Sequence, residues 1–385
     1  MNKPANMELT SAERTRGAEM ELKIVYFTPG GKELAGRIKS LLLASEMCPV
    51  SGVELWDARR KDKDTMETAG GKITLREYVG EAFEKGNALL FVGAAGIAVR
   101  MIAPFVKDKL YDPPVLVADE KGKYVIPILS GHVGGANELA ATISGLSGAE
   151  CVTTTATDVN SLFSVDVFAT RNDLAIKNRE GIAKVSAALL RGEALTVSME
   201  KVESVEEALQ KGLPCQLEYV QFPPGEPVDI LVTGRREKEA LQLETKGIWL
   251  EPKEYVLGMG CKKNTGFDQL EAFAGEWCAT LGVGRETFLA LTSIDVKKEE
   301  PGLCELARAW QMDFITYPAG QLAALEGDYT PSAFVETAVG VDNVCERSVA
   351  AYLNGRGQLI LRKTAAGGMT LAVGYLPWKL KTMET

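Results

Sequence analysis

At 385 residues with 46% hydrophobic side chains, the chain is long enough for two or three domains with ordinary cores. Its net charge of -9 excludes a general nucleic-acid binder, which needs a concentrated basic face. No window approaches the ~18–20 unbroken apolar residues of a membrane span, and no signal-peptide pattern is present, so a cytoplasmic protein is expected. Seven cysteines without a CxxC pair, in a chain with a single histidine, argue against a zinc site or a disulfide framework.

Residues 1–21 are polar with no apolar period and are expected as a mobile tail. From "LKIVYFTP" strands and helices alternate. The first helix, "KELAGRIKSLLLASE", sets Leu34, Ile38, Leu41 and Leu42 on one face. "VELWDA" follows as a strand, "LREYVGEAFEKG" as a helix, "ALLFVGAA" as a strand and "GIAVRMIAPFVKD" as a helix. "VLVADEKGKYVIPIL" reads as two strands joined at "DEKGK", and "ECVTTTATDV" as another strand. Residues 161–252 hold a helix, "REGIAKVSAALLRGE", and a strand-rich stretch with Pro and Gly turns, and alternation restarts at "EYVLGMG". The pattern predicts α/β domains with mainly parallel sheets over 22–160 and 253–378, a smaller α+β middle domain over 161–252 and a short tail over 379–385.

Two glycine loops carry the candidate chemistry. "PILSGHVGGANELAATI" contains the only histidine, His132, between an apolar strand and a helix whose buried stripe is Leu139, Ile143 and Leu146. Glycines at such a turn let backbone amides approach a ligand, and free N–H groups at a helix start favour anions. Neutral imidazole can accept a proton near neutral pH, which suits general-base work, although a lone histidine can equally hydrogen-bond a turn carbonyl. Glu138 in the first helical turn either orients that imidazole or complements the helix dipole.

The second loop, "VLGMGCKKNTGFDQL", is neither a P-loop nor a dinucleotide fingerprint, because Lys263 stands where the third glycine belongs. Gly258 and Gly260 allow close approach, Lys262 and Lys263 supply charge, and Thr265 can cap the helix. Carboxylate or phosphate binding and a solvated, well-capped loop are equally compatible with the pattern. Cys261 has no histidine near it in sequence and reads as a small packing residue before a nucleophile.

"FVGAAGIAVRMIAP", "IPILSGHVGGANELA" and "VTTTATDVN", in that order, resemble the N-terminal part of the CbiG family, the cobalt-precorrin-5A hydrolases of anaerobic cobalamin biosynthesis. "GMGCKKNT", "SIDVKKEEPGLCELA", "PSAFVETAVGVDNVCE" and "LILRKT" resemble its C-terminal domain, which also occurs as a freestanding protein. The likeness covers about residues 22–375, with a looser match in the middle, and Ser161 stands where the family pattern has glycine.

The resemblance implies opening of a delta-lactone on ring A of a cobalt-bound tetrapyrrole by water, followed by loss of the two-carbon fragment as acetaldehyde. His132 and Glu138 would be catalytic, with the amides of Gly134 and Gly135 facing the oxyanion. Substrate would also meet Gly93, Gly96, Gly131, Asn137, Thr155 and Asp158. In the C-terminal domain the implied contacts are Gly258, Gly260, Cys261, Lys262, Lys263, Asn264 and Thr265, with Lys363 holding a further carboxylate. No cofactor of the protein's own is then expected, the cobalt arriving within the substrate, and neighbouring pathway enzymes are the implied protein partners. The substrate is expected in a cleft between the outer domains. A noncatalytic tetrapyrrole carrier and, on the glycine loops alone, a sugar-phosphate or nucleotide enzyme remain the rival readings.

Overall fold

The computed structural model describes residues 20–45, 50–58, 65–68, 71–83, 86–108, 111–200, 203–332, 336–337 and 339–383. Most of the expected N-terminal tail, residues 1–19, lies outside them, and Glu21 already opens the first strand. The chain divides into two compact units, residues 1–161 and 162–385.

The first unit contains β1 (Glu21–Tyr26), β2 (Gly52–Asp57), a hairpin of β3 (Thr65–Thr68) and β4 (Gly71–Thr74), β5 (Asn87–Val92), β6 (Val115–Ala118), β7 (Tyr124–Leu129) and β8 (Glu150–Cys151). Its main sheet runs β2-β1-β5-β6-β7-β8. Side chains alternate across each strand, so one sequence feeds two cores. Leu22, Ile24 and Leu90 face the helices Pro29–Ala44 and Ala136–Ser147 through Leu34, Ile38, Leu42, Leu139 and Ile143. Val25, Leu89 and Phe91 face Tyr78 and Val79 of helix Leu75–Ala82 and Ala98 and Ile102 of helix Ala95–Ile102. Each fully buried Leu or Phe contributes about 1.5–3 kcal/mol. β1, β2, β5 and β6 pair in parallel, but the "DEKGK" turn reverses the chain, so β7 is antiparallel to β6 and β8 runs with β7.

The expected strand over "ECVTTTATDV" is shorter than its threonines suggest. β8 pairs with Tyr124 and Val125 alone, and Ala156–Val159 forms a helical turn. That turn closes with the Ser161 amide on the Asp158 carbonyl, 3.1 Å, and Ser161 sits at φ 52°. Left-handed backbone favours glycine, so Ser161→Gly is expected to raise stability by about 0.5–1 kcal/mol in urea unfolding.

In the second unit β9 (Leu174–Ile176), β10 (Leu195–Met199), β11 (Leu217–Tyr219), β12 (Val228–Val232) and β13 (Thr245–Pro252) form a sheet in the order β11-β10-β12-β13-β9. It is parallel except at β9, so the middle domain is built on the α/β plan of its neighbours. The third sheet, β14 (Tyr255–Cys261), β15 (Phe288–Ile294), β16 (Asp313–Tyr317), β17 (Gln358–Ala366) and β18 (Met369–Tyr375), has the order β16-β15-β14-β18-β17. Helices Phe267–Leu281 and Pro301–Trp310 share one core with it, and helix Cys345–Leu353 another through Val349, Tyr352 and Leu353.

Residues 379–383, expected as part of a tail, belong to a core instead. Trp378, Leu380 and Met383 pack with Phe168, Leu174 and Val205 of the middle domain. Fully buried Asn172 clasps them: its Nδ2 donates to the Thr382 carbonyl at 2.9 Å and its Oδ1 accepts from the Lys381 and Thr382 amides at 2.8 and 3.0 Å. The Trp378 indole N–H donates to the Asn172 carbonyl at 2.7 Å.

Candidate functional site

His132 lies in the loop between β7 and helix Ala136–Ser147, and Asp158 in the helical turn after β8. Because β7 and β8 are parallel neighbours, both chains leave the sheet at the same end and meet. His132 Nε2 lies 2.9 Å from Asp158 Oδ2 and 3.2 Å from Thr157 Oγ1. The Asn137 amide donates to the same Asp158 oxygen at 2.5 Å. An ionised carboxylate only accepts, so a neutral imidazole in this setting carries its proton on Nε2. Nδ1 is then the basic nitrogen, and it has no partner among the described residues. Asp158 takes the orienting place considered for Glu138, which stands in the first turn of the helix.

The glycines fit this geometry tightly. A Cβ on Gly131 would fall 2.7 Å from Asn137 Oδ1, and one on Gly134 would fall 2.4 Å from Ser130 Cβ. Side chains there would displace Asn137, hence Asp158, or the loop itself. The Gly135 amide, expected to face an oxyanion, instead donates to the His132 carbonyl at 2.9 Å. The first helical amides are likewise engaged, Ala136 to Ser130 and Asn137 to Gly131. Among the described residues the amides of Gly131, His132, Val133 and Gly134 have no partner, and buried Ser130 Oγ has none either. At half-buried positions these amides are open to water or to a ligand's oxygens, whereas Ser130 Oγ is buried and a buried unpaired hydroxyl is uncommon.

Gly93 and Gly96 are not brought to His132. They follow the carboxyl end of β5, whereas β7 ends beside Val115, the first residue of β6. The two glycine loops therefore leave opposite ends of the same sheet. Thr155 caps the helical turn that carries Asp158, without a side-chain cap bond.

In the second unit, Gly258 is a packing glycine and not part of the loop surface. It is buried in β14, where a Cβ would meet the Cys345 carbonyl oxygen at 2.1 Å. Gly258→Ala should destabilise the unit by about 1–3 kcal/mol, read from the urea midpoint, by forcing helix Cys345–Leu353 off the sheet. Gly260 packs against Thr370 across the β14–β18 pair.

The loop proper is Cys261 to Gly266. Thr265 does not cap the helix: its hydroxyl donates to the Lys262 carbonyl at 2.8 Å, and Gly266 is the N-cap with no side-chain cap bond. Asn264, at φ 63°, donates its amide to Glu300 at 2.5 Å, and Glu300 also accepts from Lys297 Nζ at 2.7 Å. Burial pushes the Glu300 carboxyl up, but Lys297 and the Asn264 amide outweigh it and hold it below the ordinary range. Burial likewise raises the Cys261 thiol, which disfavours a thiolate nucleophile there. Lys262 and Lys263 are exposed. Lys363 enters through its backbone, donating to Glu346 at 2.6 Å where β17 slips register against β18.

The family model described as cobalamin synthesis G N-terminal matches residues 77–158, and the one described as cobalamin synthesis G C-terminus matches residues 255–374. The chain belongs to the cobalamin synthesis G family. It is 31% identical over 360 residues to the cobalt-precorrin-5A hydrolase of Salmonella typhimurium, covering 92% of this chain and 97% of that one. The cobalt-precorrin-5A hydrolase of Priestia megaterium is 30% identical over 361 residues, 92% of this chain and 95% of its own. Protein CobE from Sinorhizobium sp. is 27% identical over 119 residues, 31% of this chain and 77% of its own. His132, Asn137 and Asp158 fall within the matched N-terminal model of the cobalamin synthesis G family, and Cys261–Thr265 with Glu300 within the C-terminal one. Among the described residues no helix is long and apolar enough to cross a membrane, and no group of three or more His, Cys, Asp or Glu side chains is arranged to hold a metal ion.

Asp158 and Asn137 are the partners whose roles sequence reasoning missed, although both residues stood among its candidates. The carboxylate closing "TTTATD" after an apolar strand was the available signal for Asp158.

Proposed function

We propose that this protein is a cobalt-precorrin-5A hydrolase that opens the ring A delta-lactone with water and releases the two-carbon fragment as acetaldehyde. The observation that carries the reading is the His132–Asp158 pair beside an open row of loop amides. The likeness, over 92% of the chain, to two hydrolases of that name supports the substrate.

Lactone opening needs a base for water and donors for the tetrahedral oxyanion. His132 Nδ1 takes the proton from water as the water oxygen bonds to the lactone carbonyl carbon. Asp158, receiving Nε2–H, stabilises the imidazolium, and free amides of Gly131 to Gly134 are the donors within reach of this loop for the oxyanion. Collapse breaks the ring C–O bond, and the imidazolium returns its proton to the leaving alkoxide, giving a free acid and a free alcohol. In the second step the alcohol loses its proton and its oxygen becomes the carbonyl of acetaldehyde. The electron pair of the broken carbon–carbon bond passes into the conjugated macrocycle, which is its own electron sink. The cobalt stays in the substrate throughout, and the protein's residues supply protons and position.

Anaerobic incubation of the purified protein with cobalt-precorrin-5A, following tetrapyrrole mass and trapped acetaldehyde, tests the reading. Acetaldehyde released with loss of the corresponding mass supports it. Tight binding without any mass change would replace it with a carrier.

A further inference from the structure

The turn after β15, Asp295–Lys297 and its continuation to Glu300, touches the Cys261–Gly266 loop directly. β14 and β15 are parallel neighbours, so both segments emerge at the carboxyl edge of the third sheet, where ligands of open α/β sheets collect. Glu300 fastens one to the other by accepting from Asn264 and Lys297. Gly302 completes the contact, since a Cβ there would stand 2.2 Å from the Thr265 carbonyl oxygen. Two loops locked in this way hold their outward side chains in a fixed relation.

Those outward side chains have an unusual composition. Val296 is 70% exposed, the highest value among the large apolar side chains of the described residues. The charge of Lys297 is taken up by Glu300, while exposed Lys262, Lys263 and Lys298 form no ion pair among the described residues, Lys263 acting on Glu300 only at longer range. Beside them the N-terminus of the 15-residue helix Phe267–Leu281 opens without a side-chain cap. Asp268, Asp295 and Glu299 lie on the same segments, so net charge is not the signal. The signal is ammonium groups outside any ion pair and uncapped amides on the same two adjoining segments as an exposed aliphatic side chain. That combination suits a flat apolar ring with carboxylates on its rim, and suits a small phosphate less well, because phosphate offers Val296 nothing.

We propose that the Asp295–Glu300 turn is a substrate-recognition element, with Val296 seating the face of the macrocycle and Lys298 acting with Lys262 and Lys263 on its peripheral carboxylates. The inference rests on the hydrolase reading for the identity of the macrocycle. Glu300 is a positioning residue that sets the two loops against each other.

The test uses the full chain and uroporphyrin, a metal-free tetrapyrrole rich in carboxylates, with Kd read from fluorescence quenching, alongside KM for cobalt-precorrin-5A. Val296→Asp and Lys298→Glu, both surface changes, should each raise Kd and KM by about tenfold or more, since each sets a negative charge against a polyanion. Lys184→Glu, on helix Glu180–Leu190 of the middle domain, should leave both unchanged. Wild-type Kd and KM in Val296→Asp and Lys298→Glu, with turnover intact, overturn this inference and leave the hydrolase reading standing. A wild type that neither binds uroporphyrin nor turns over cobalt-precorrin-5A overturns both.

Discussion

His132→Ala is expected to slow lactone opening by about 10³-fold while leaving substrate binding nearly intact, because a positioned general base contributes about 10²–10⁴-fold. The loss should fall on kcat, since the imidazole meets the water in the transition state and not the bulk of the macrocycle. Asp158→Asn should act through the ring and not on substrate. An amide can present N–H to Nε2, which favours the tautomer with its proton on Nδ1, the nitrogen needed as base. That variant is expected to lose about 10²-fold in kcat with KM unchanged. Single-turnover measurements of tetrapyrrole mass on the two variants check both numbers. Rates within about twofold of wild type for both would place the base elsewhere.

Glu346→Ala is expected to destabilise the second unit by about 3–5 kcal/mol in urea unfolding. Glu346 is fully buried at the start of helix Cys345–Leu353. Its carboxylate accepts from the Thr330 amide at 2.7 Å, the Thr330 hydroxyl at 2.9 Å, Asn343 Nδ2 at 3.0 Å and the Lys363 amide at 2.6 Å. Removing the acceptor strips a fully buried Asn343 and a half-buried Lys363 amide of a partner and unties exposed Thr330, and a buried donor left unpaired is costly. The same contacts tie a long loop, a helix start and the irregular strand β17 into one object. Glu346→Gln keeps one oxygen and should lose roughly half as much, because its amide nitrogen would face donors.

Much of the element order was legible because apolar periodicity reports burial, and burial is what the sheets and helices share. Leu34, Ile38 and Leu42 are buried on one helix face as the spacing required. What was not legible depends on which strands become neighbours. The reversal at "DEKGK" reads as a turn from composition, but that it sends His132 and Gly93 to opposite ends of the sheet follows only from the β6–β7 pairing. The His132–Asp158 bond spans 26 residues and exists because β8 lies beside β7. Gly258 showed the reverse difficulty: a glycine next to a loop motif looked like part of it, whereas the Cys345 carbonyl opposite it explains its lack of a side chain. Thr265 had the composition of a cap, yet its hydroxyl found the nearer Lys262 carbonyl. Ser161 shows how a local departure keeps its geometry, holding left-handed backbone without the residue that adopts it freely.

The clasp at Asn172 bears on the order in which the chain folds. The strands of the middle sheet are all synthesised once Pro252 has left the ribosome, yet its core still lacks Trp378, Leu380 and Met383. Until residues 378–383 emerge, Asn172 keeps its bonds to the Phe168 carbonyl but its side-chain oxygen and second amide hydrogen have no counterpart, and an apolar flank of the domain faces water. The whole third sheet must be made in the interval, at about 5–20 residues per second. Separating the middle domain at residue 252 would therefore yield a fragment that is complete in its sheet and open on one side. Ribosome-bound intermediates of that length should be the species that chaperones hold and proteases cut.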